Sequence, residues 1–379
     1  MLASRRWALR AAAVTTASLF AAPYVAKARF AVSPYSKRDY SKRAIEVVQR
    51  SLVIDMLAPI KIDFRPEYYA ARLSEQDAAD FRASGITAIH NAVGIGGPTA
   101  REQALSFFAA WGGFVARNSH VFTGVGSFED IVRAKKDSRC AVIMGLQNSE
   151  HFNRPDDVKA FYQLGQRCSQ LTYNSQNRIG SGSTDRVDGG VSDYGVEIIN
   201  AMNAVGMLID VSHSGDRTTL DAIAISKKPI AITHSNCRAL VDHPRVKTDE
   251  AIRALGAKDG VMGITGVRMF VSKTDPTTIV NIVDHIDHVV KLIGIEHVGI
   301  GTDSDLNGYD DSSPETNKTL RGAYKDSYAF RDKIDVDGFD HPRKMYDLAE
   351  ELIRRSYTDK HIEAVLGGNF ARLLAATWS

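Results

Sequence analysis

The chain has 379 residues, 44% of them hydrophobic, with 47 basic side chains against 45 acidic ones and a formal net charge of +2. That length can bury a large core, either as one α/β barrel with insertions or as two domains. The near-balanced charge, without any basic run, argues against a partner recognised by bulk charge, such as nucleic acid or an anionic membrane surface.

The chain opens on an export signal. Ser4-Arg5-Arg6-Trp7-Ala8-Leu9-Arg10 precedes an apolar run from Ala11 to Ala22, and Ala26-Lys27-Ala28 offers small residues where a signal peptidase reads. Paired arginines before a short apolar run are similar to a twin-arginine signal, although Ala8 stands where a bulkier residue is usual. The run is too short to span a bilayer comfortably. Residues 1–28 are therefore expected to be a twin-arginine-type signal peptide, delivering a folded protein to the periplasm or the medium, with no stable membrane span in the mature chain. Cys140, Cys168 and Cys237 are odd in number and widely spaced, so they read as packing residues.

From Tyr40 onward, helical and strand signals alternate with no Pro- or Ser-rich linker. Ala44 to Arg50 predicts a helix and Ser51 to Asp55 the first strand. Further strands are predicted at Gly85–Ala92, Val121–Val125, Ala141–Leu146, Ser169–Tyr173, Met207–Val211, Ile230–Thr233, Val261–Gly266 and His297–Gly301. Helices at Phe161–Arg167, Asp216–Ser226 and Ile279–Leu292 lie between them. Apolar runs without alternation are what strands buried on both faces look like, as in parallel sheets. Nine strand candidates for eight places predict a single (β/α)8 TIM-type barrel over residues 40–379, with one strand outside it. The irregular stretch 306–343 follows the last strand, so it is expected as a large loop over the catalytic face.

Two of these strands end alike. Gly206 to His213 and Pro229 to Ser235 are short β-branched runs that each finish on a histidine beside a hydroxyl residue. His213 and His234 are thus expected side by side at the carboxyl ends of adjacent strands, where such folds keep their chemistry. Two neutral imidazoles are half of a transition-metal site. Asp303 ends another strand and can orient water, shuttle a proton or ligate metal. Asp305 reads as a loop residue.

Several blocks together resemble one family. They are Tyr162 to Arg167 with Leu171 to Asn177, Met202 to His213, Thr233 to Asn236 with Arg245, Gly301 to Asp305, and Leu366 to Arg372. In this order they strongly resemble the renal (membrane) dipeptidase family, peptidase family M19. The resemblance implies a barrel of the amidohydrolase type that cleaves dipeptides through two bridged zinc ions, in proteins that are often homodimers. It implies that His213 and His234 bind one zinc, that Asp303 handles protons and the substrate amine, and that Arg245 grips the substrate carboxylate. A planar guanidinium suits a carboxylate.

The departures from the pattern all fall at one place. The first-strand ligand positions hold Leu57 and Pro59, neither of which can bind metal. The bridging glutamate aligns with Gln147, at best a weak ligand, and the histidine that contacts the reacting carbonyl aligns with Tyr173. Asp55 faces inward with Leu57 but lies one layer deeper, roughly 6–7 Å away. Asp63, His90, Glu150 and His151 are the other nearby donors. The expectation is an exported dipeptidase-like metallohydrolase with one Zn2+, Asp303 as its acid and base, and a dipeptide or small amide as substrate. The alternatives are a barrel turned to another reaction on a peptide-like metabolite, and a binding protein without turnover.

Overall fold

The computed structural model describes residues 39–62, 69–310 and 312–378; the signal segment and Asp63 lie outside them. In chain order the elements are α1 (Lys42–Arg50), β1 (Ile54–Asp55), α2 (Glu75–Ala83), β2 (Ala88–Val93), α3 (Ala100–Arg117), β3 (Phe122–Gly124), α4 (Phe128–Lys136) and β4 (Cys140–Leu146). There follow α5 (Asp156–Gln163), β5 (Gln166–Gln170), α6 (Asp193–Val205), β6 (Leu208–Asp210), α7 (Asp216–Ile225), β7 (Ala231–Ser235), α8 (Asp249–Gly256) and β8 (Val261–Ile264). The last are α9 (Arg268–Val271), α10 (Ile279–Ile293), β9 (Val298–Ile300), α11 (Pro314–Gly322), α12 (Lys344–Arg354), α13 (Asp359–Glu363) and α14 (Asn369–Thr377).

All strand pairs are parallel, and β1, β2, β4, β5, β6, β7, β8 and β9 close into a ring, with Asp55 of β1 paired to Ile300 of β9. The ninth strand is β3. It pairs with the first half of β4, through Cys140–Val142, while β5 takes the second half from Met144. The fold is the α/β (β/α)8 barrel that the alternation predicts.

Inside the ring, Ile54, Ala88, Ala141, Cys168, Leu208, Ala231 and Val261 form the lower layers. Phe370, Leu373 and Leu374 of α14 pack against these residues and cork the amino-terminal end of the barrel. The opposite end is the open mouth, as the fold requires for chemistry. All three cysteines are buried thiols, and no described helix is long and apolar enough to cross a membrane.

Two sequence expectations need correction. The fifth strand runs over Gln166–Gln170, three residues earlier than Ser169–Tyr173, and the preceding helix ends at Gln163 instead of Arg167. The strand is polar and yet fully buried, because its side chains find partners inside. Gln166 Oε1 meets His151 Nε2 at 3.0 Å, and Gln170 Nε2 donates to the Gln147 and Thr172 carbonyls. A search for apolar runs passes over such a strand.

Candidate active site

His213 sits just past β6 and His234 within β7, where the pairing register with β8 shifts between Ile232 and Ser235. This irregularity re-aims the histidine side chain toward its neighbour. It depends on Gly263 and Gly301, since a Cβ at either would collide with the Thr233 carbonyl. The two imidazoles, both buried, face each other with Nε2 atoms 3.0 Å apart. Burial and the neighbouring Arg245 charge hold both well below the ordinary histidine range, so both rings are neutral.

Hydrogen-bond bookkeeping locates their protons. His213 Nδ1 donates to Asn174 Oδ1 at 2.6 Å. Thr233 Oγ1 donates its one proton to Asp210 Oδ2 at 2.6 Å and therefore accepts from His234 Nδ1 at 2.8 Å. Asp210 is fixed as acceptor by three further donors: the Ser212 amide and hydroxyl and the Thr233 amide. Both rings thus carry hydrogen on Nδ1, and two Nε2 lone pairs converge. A cation between them relieves that repulsion. Two nitrogens on one tetrahedral zinc stand roughly 3.3 Å apart, close to the observed spacing. The tied Nδ1 atoms are the outer-shell contacts that orient metal-binding histidines. The pair therefore fits one ion as two of its ligands. A second, bridged ion does not fit, since Leu57 and Pro59 carry no donor; and no three His, Cys, Asp or Glu side chains converge to hold a metal among the described residues, so the pair offers one ion two protein ligands and no third of these types.

Asp303 adopts a left-handed backbone (φ 59°), with its amide on the Leu57 carbonyl at 2.8 Å. Burial, with Asp55 and Asp210 nearby, pushes its carboxyl up to about 7, against the pull of Arg245 and a hydrogen bond from Tyr309. Arg245 is fully buried. Its terminal nitrogens donate to the Ser212 carbonyl at 2.5 Å and the His234 carbonyl at 3.0 Å, and its Nε has no partner among the described residues.

A cavity of about 790 Å³ opens over this floor. Gln147, Tyr173 and Asp303 line it; the stretch 306–343 contributes α11, Tyr309, Tyr324, Tyr328 and Phe330 to its walls. Gln147 Nε2 donates to the Ala92 carbonyl at 3.2 Å, and its buried Oε1 has no partner among the described residues. Tyr173 stacks on His213 with ring centres 4.2 Å apart, and its hydroxyl meets that of Tyr324 at 2.6 Å. Gly94 leaves room for the Tyr173 ring.

The structure also places the remaining donors. Both Asp55 oxygens are taken by Thr302, and Asp305 caps its own loop through Asn307 and Gly308 while holding Ile62. His151 is bonded through both nitrogens among Phe152 and Phe161, and Glu150 accepts from the Gly97 amide. His90 lies inside the barrel with Nδ1 on the Met56 carbonyl and Nε2 unpartnered among the described residues. Asn174, Thr233 and Asp210 were not singled out as site residues, although each holds a histidine directly or through one hydroxyl. The quoted blocks contain them, but only folding shows what they touch.

Comparison with known proteins follows the same lines. The family model described as membrane dipeptidase (peptidase family M19) matches residues 41–316. The chain is 31% identical to the dipeptidase verJ of Clonostachys rogersoniana over 242 residues, 63% of this chain and 56% of that protein. It thus spans little more than half the length of that relative. Among solved structures it is similar to an amidohydrolase from Pseudomonas aeruginosa, with 29% identity, a TM-score of 0.75, and 88% of this chain and 99% of that one covered. A metallopeptidase from Rhodobacter sphaeroides, liganded with a phosphinate mimic of L-Ala-D-Ala, shares the fold at 16% identity and a TM-score of 0.72, covering 86% and 99% of the two chains.

Proposed function

Because this chain belongs to the membrane dipeptidase family, peptidase family M19, we propose that it hydrolyses the amide bond of a dipeptide or a related small amide, with a single metal ion held by His213 and His234. The observation that carries this reading is the pair of neutral imidazoles with converging lone pairs at 3.0 Å. An ion bound there, zinc by its fit to imidazole nitrogen, would supply Lewis acidity and ease deprotonation of water.

The chain's own residues divide the rest of the work. Asp303, held near neutrality at about 7, is suited to take a proton from water and return it to the leaving nitrogen. Its left-handed backbone, pinned by Leu57, fixes the carboxyl at the cavity floor. Arg245 places a fixed positive charge beside Asp303 and the histidines, which favours the ionised carboxylate and neutral rings. Tyr173 stands where a hydroxyl can contact the scissile carbonyl, and Gln147 offers an amide oxygen to the substrate. The unpartnered Gln147 oxygen and the Tyr173 ring stacked on His213 favour, as a second reading, a binding protein that keeps the pocket without turnover.

The test is elemental analysis with turnover of a dipeptide panel. Near one metal ion per chain is expected, and His213→Ala should remove both metal and activity. Two ions per chain in the unaltered protein would sink the single-ion reading; one ion without turnover would favour the binding protein. Export by the twin-arginine route to the periplasm is part of the proposal, supported by Arg5 and Arg6. Lysine at both positions should leave unprocessed precursor in the cytoplasm, because recognition needs guanidinium. Unchanged delivery on fractionation would point to the general secretory route.

A further inference from the structure

His213 is held by a loop that does not belong to its own strand. The segment from Tyr173 to Asp185, between β5 and α6, stacks the Tyr173 ring on the imidazole and offers Asn174 Oδ1 to Nδ1 at 2.6 Å. Its Ser183 amide donates to the His213 carbonyl at 2.8 Å. Asn174 has a left-handed backbone (φ 58°), a conformation that an Asn tolerates but that its surroundings have to maintain. The amide and hydroxyl of Thr184 both donate to the Asn174 carbonyl at 2.8 Å, and a Cβ at Gly182 would strike that carbonyl.

Each of these holders is itself held by the 306–343 stretch. The Tyr324 hydroxyl meets that of Tyr173 at 2.6 Å, and Lys325 Nζ donates to the Thr184 carbonyl at 3.0 Å. The Tyr328 hydroxyl is hydrogen-bonded to the Asn174 side chain; since His213 takes Asn174 Oδ1, the Asn174 amide nitrogen is the donor. The Tyr328 carbonyl accepts from His243 Nε2 at 3.1 Å, while His243 Nδ1 accepts the Arg245 amide at 3.0 Å. Arg245 in turn donates to the His234 carbonyl. Tyr324 and Tyr328 thus reach both holders of the same imidazole, and they pack with Phe330 against Phe270.

A cation on His213 Nε2 changes the strength of these contacts with a definite sign. Charge drawn through the ring makes Nδ1–H a stronger donor to Asn174. The polarised amide becomes a stronger donor to Tyr328, because hydrogen bonds in a chain reinforce one another. The imidazole also turns more positive beside the Tyr173 ring, whose negative π face lies on it with centres 4.2 Å apart. Both effects tighten the grip of the insertion. Linkage then requires the insertion to tighten binding of the ion by the same factor.

Resting on the reading that His213 and His234 hold an ion, we propose that Tyr324 and Tyr328 are positioning residues for His213, so that seating of the insertion and binding of the ion are cooperative. The insertion is then part of the metal site although it supplies no ligand. An ion bound at the barrel floor firms the wall of the substrate cavity above it.

Zinc titration of the metal-free full chain against a chromophoric chelator tests this. Tyr324→Phe and Tyr328→Phe remove only the hydroxyls and keep the packing rings. Each is expected to weaken zinc binding severalfold, and the double variant to weaken it by about tenfold or more. Residues that served packing alone would lower the unfolding temperature without moving zinc affinity. The reciprocal measurement uses the unaltered protein: zinc should slow amide hydrogen exchange across residues 324–330 by roughly tenfold, and His213→Ala should abolish that slowing. Parent-like zinc affinity in the double variant, or exchange over 324–330 that zinc leaves unchanged, would overturn the coupling and leave the ion site standing. No zinc bound by the unaltered protein would overturn the ion site and this proposal together. The exchange measurement needs no tyrosine variant, so it decides even where those proteins do not fold.

Discussion

Thr233 and Thr302 perform the same task on two different strands. At the end of β6, Asp210 accepts the amide and hydroxyl of Thr233 from the next strand, and at the end of β1, Asp55 accepts the amide and hydroxyl of Thr302. In each case the following residue, His234 or Asp303, is the one delivered to the mouth. From sequence, Asp55 reads as a donor near the missing ligands, one layer deeper than Leu57, and Asp210 only as part of a matching block. Folding shows them to be clasps, because both oxygens of each accept hydrogen bonds from neighbouring strand-end residues. His213, His234 and Asp303 were legible because a polar residue ending an apolar strand has few structural reasons to be there. Asn174 was not, since an Asn in a polar loop is unremarkable until its oxygen is seen on an imidazole.

Asp303 makes a prediction with a definite sign. Its carboxyl binds protons more tightly folded, at about 7, than at the ordinary 3.8. The stability of its neutral form is therefore fully present below the ordinary value and is lost as pH rises through about 7. Asp303→Asn should match the parent protein in thermal unfolding near pH 4 and exceed it above pH 7. The gap should widen by about 1.4 kcal/mol per pH unit within that window. The same variant should lower turnover about 10²–10⁴-fold. A stability gap independent of pH would show that the carboxyl titrates in the ordinary range.

At the scale of elements, β7 is the decisive strand. Its irregularity turns His234 toward His213, and two glycines on β8 and just past β9 make space for it. Neither glycine needs an unusual backbone; each is required because the Thr233 carbonyl occupies the place of a side chain. Gly301→Ala should destabilise the fold by about 1–3 kcal/mol through overpacking and should release metal, because His234 would move with its strand. Unfolding curves with metal analysis check this; full metal content would place the anchor of His234 elsewhere. Such glycines are visible in the sequence only as short strand residues, and the clash they avoid belongs to the closed ring. β5 was misplaced for the opposite reason. Its glutamines, buried with hydrogen bonds, lack the apolar signature on which strand recognition depends. The 306–343 stretch was legible as an irregular insertion, but its helix α11 and its wall of tyrosines are products of packing against the mouth.

Over the whole molecule, the barrel is corked at one end by α14 and roofed at the other by the 306–343 stretch. Phe370 is the centre of the cork: it packs over Gly299 and is fully buried among the lower barrel layers. Phe370→Ala should cost about 3–5 kcal/mol, lowering the unfolding midpoint while a fold-intact fraction keeps its metal. A loss below about 1 kcal/mol would mean that α14 is a surface cover and not part of the core.

The seam of the ring lies between β1 and β9, where Thr302 donates to Asp55 across 247 residues of sequence. During synthesis, a chain that has emerged only as far as β8 is an open sheet with unpaired edges, and such long-range pairings form slowly. The residue that seals the seam immediately precedes Asp303. Closing the ring and setting the Asp303 carboxyl at the mouth are therefore one event in the life of the nascent chain. An incompletely folded molecule, its ring still open, has no finished mouth: Asp303 takes its place only when Thr302 reaches Asp55.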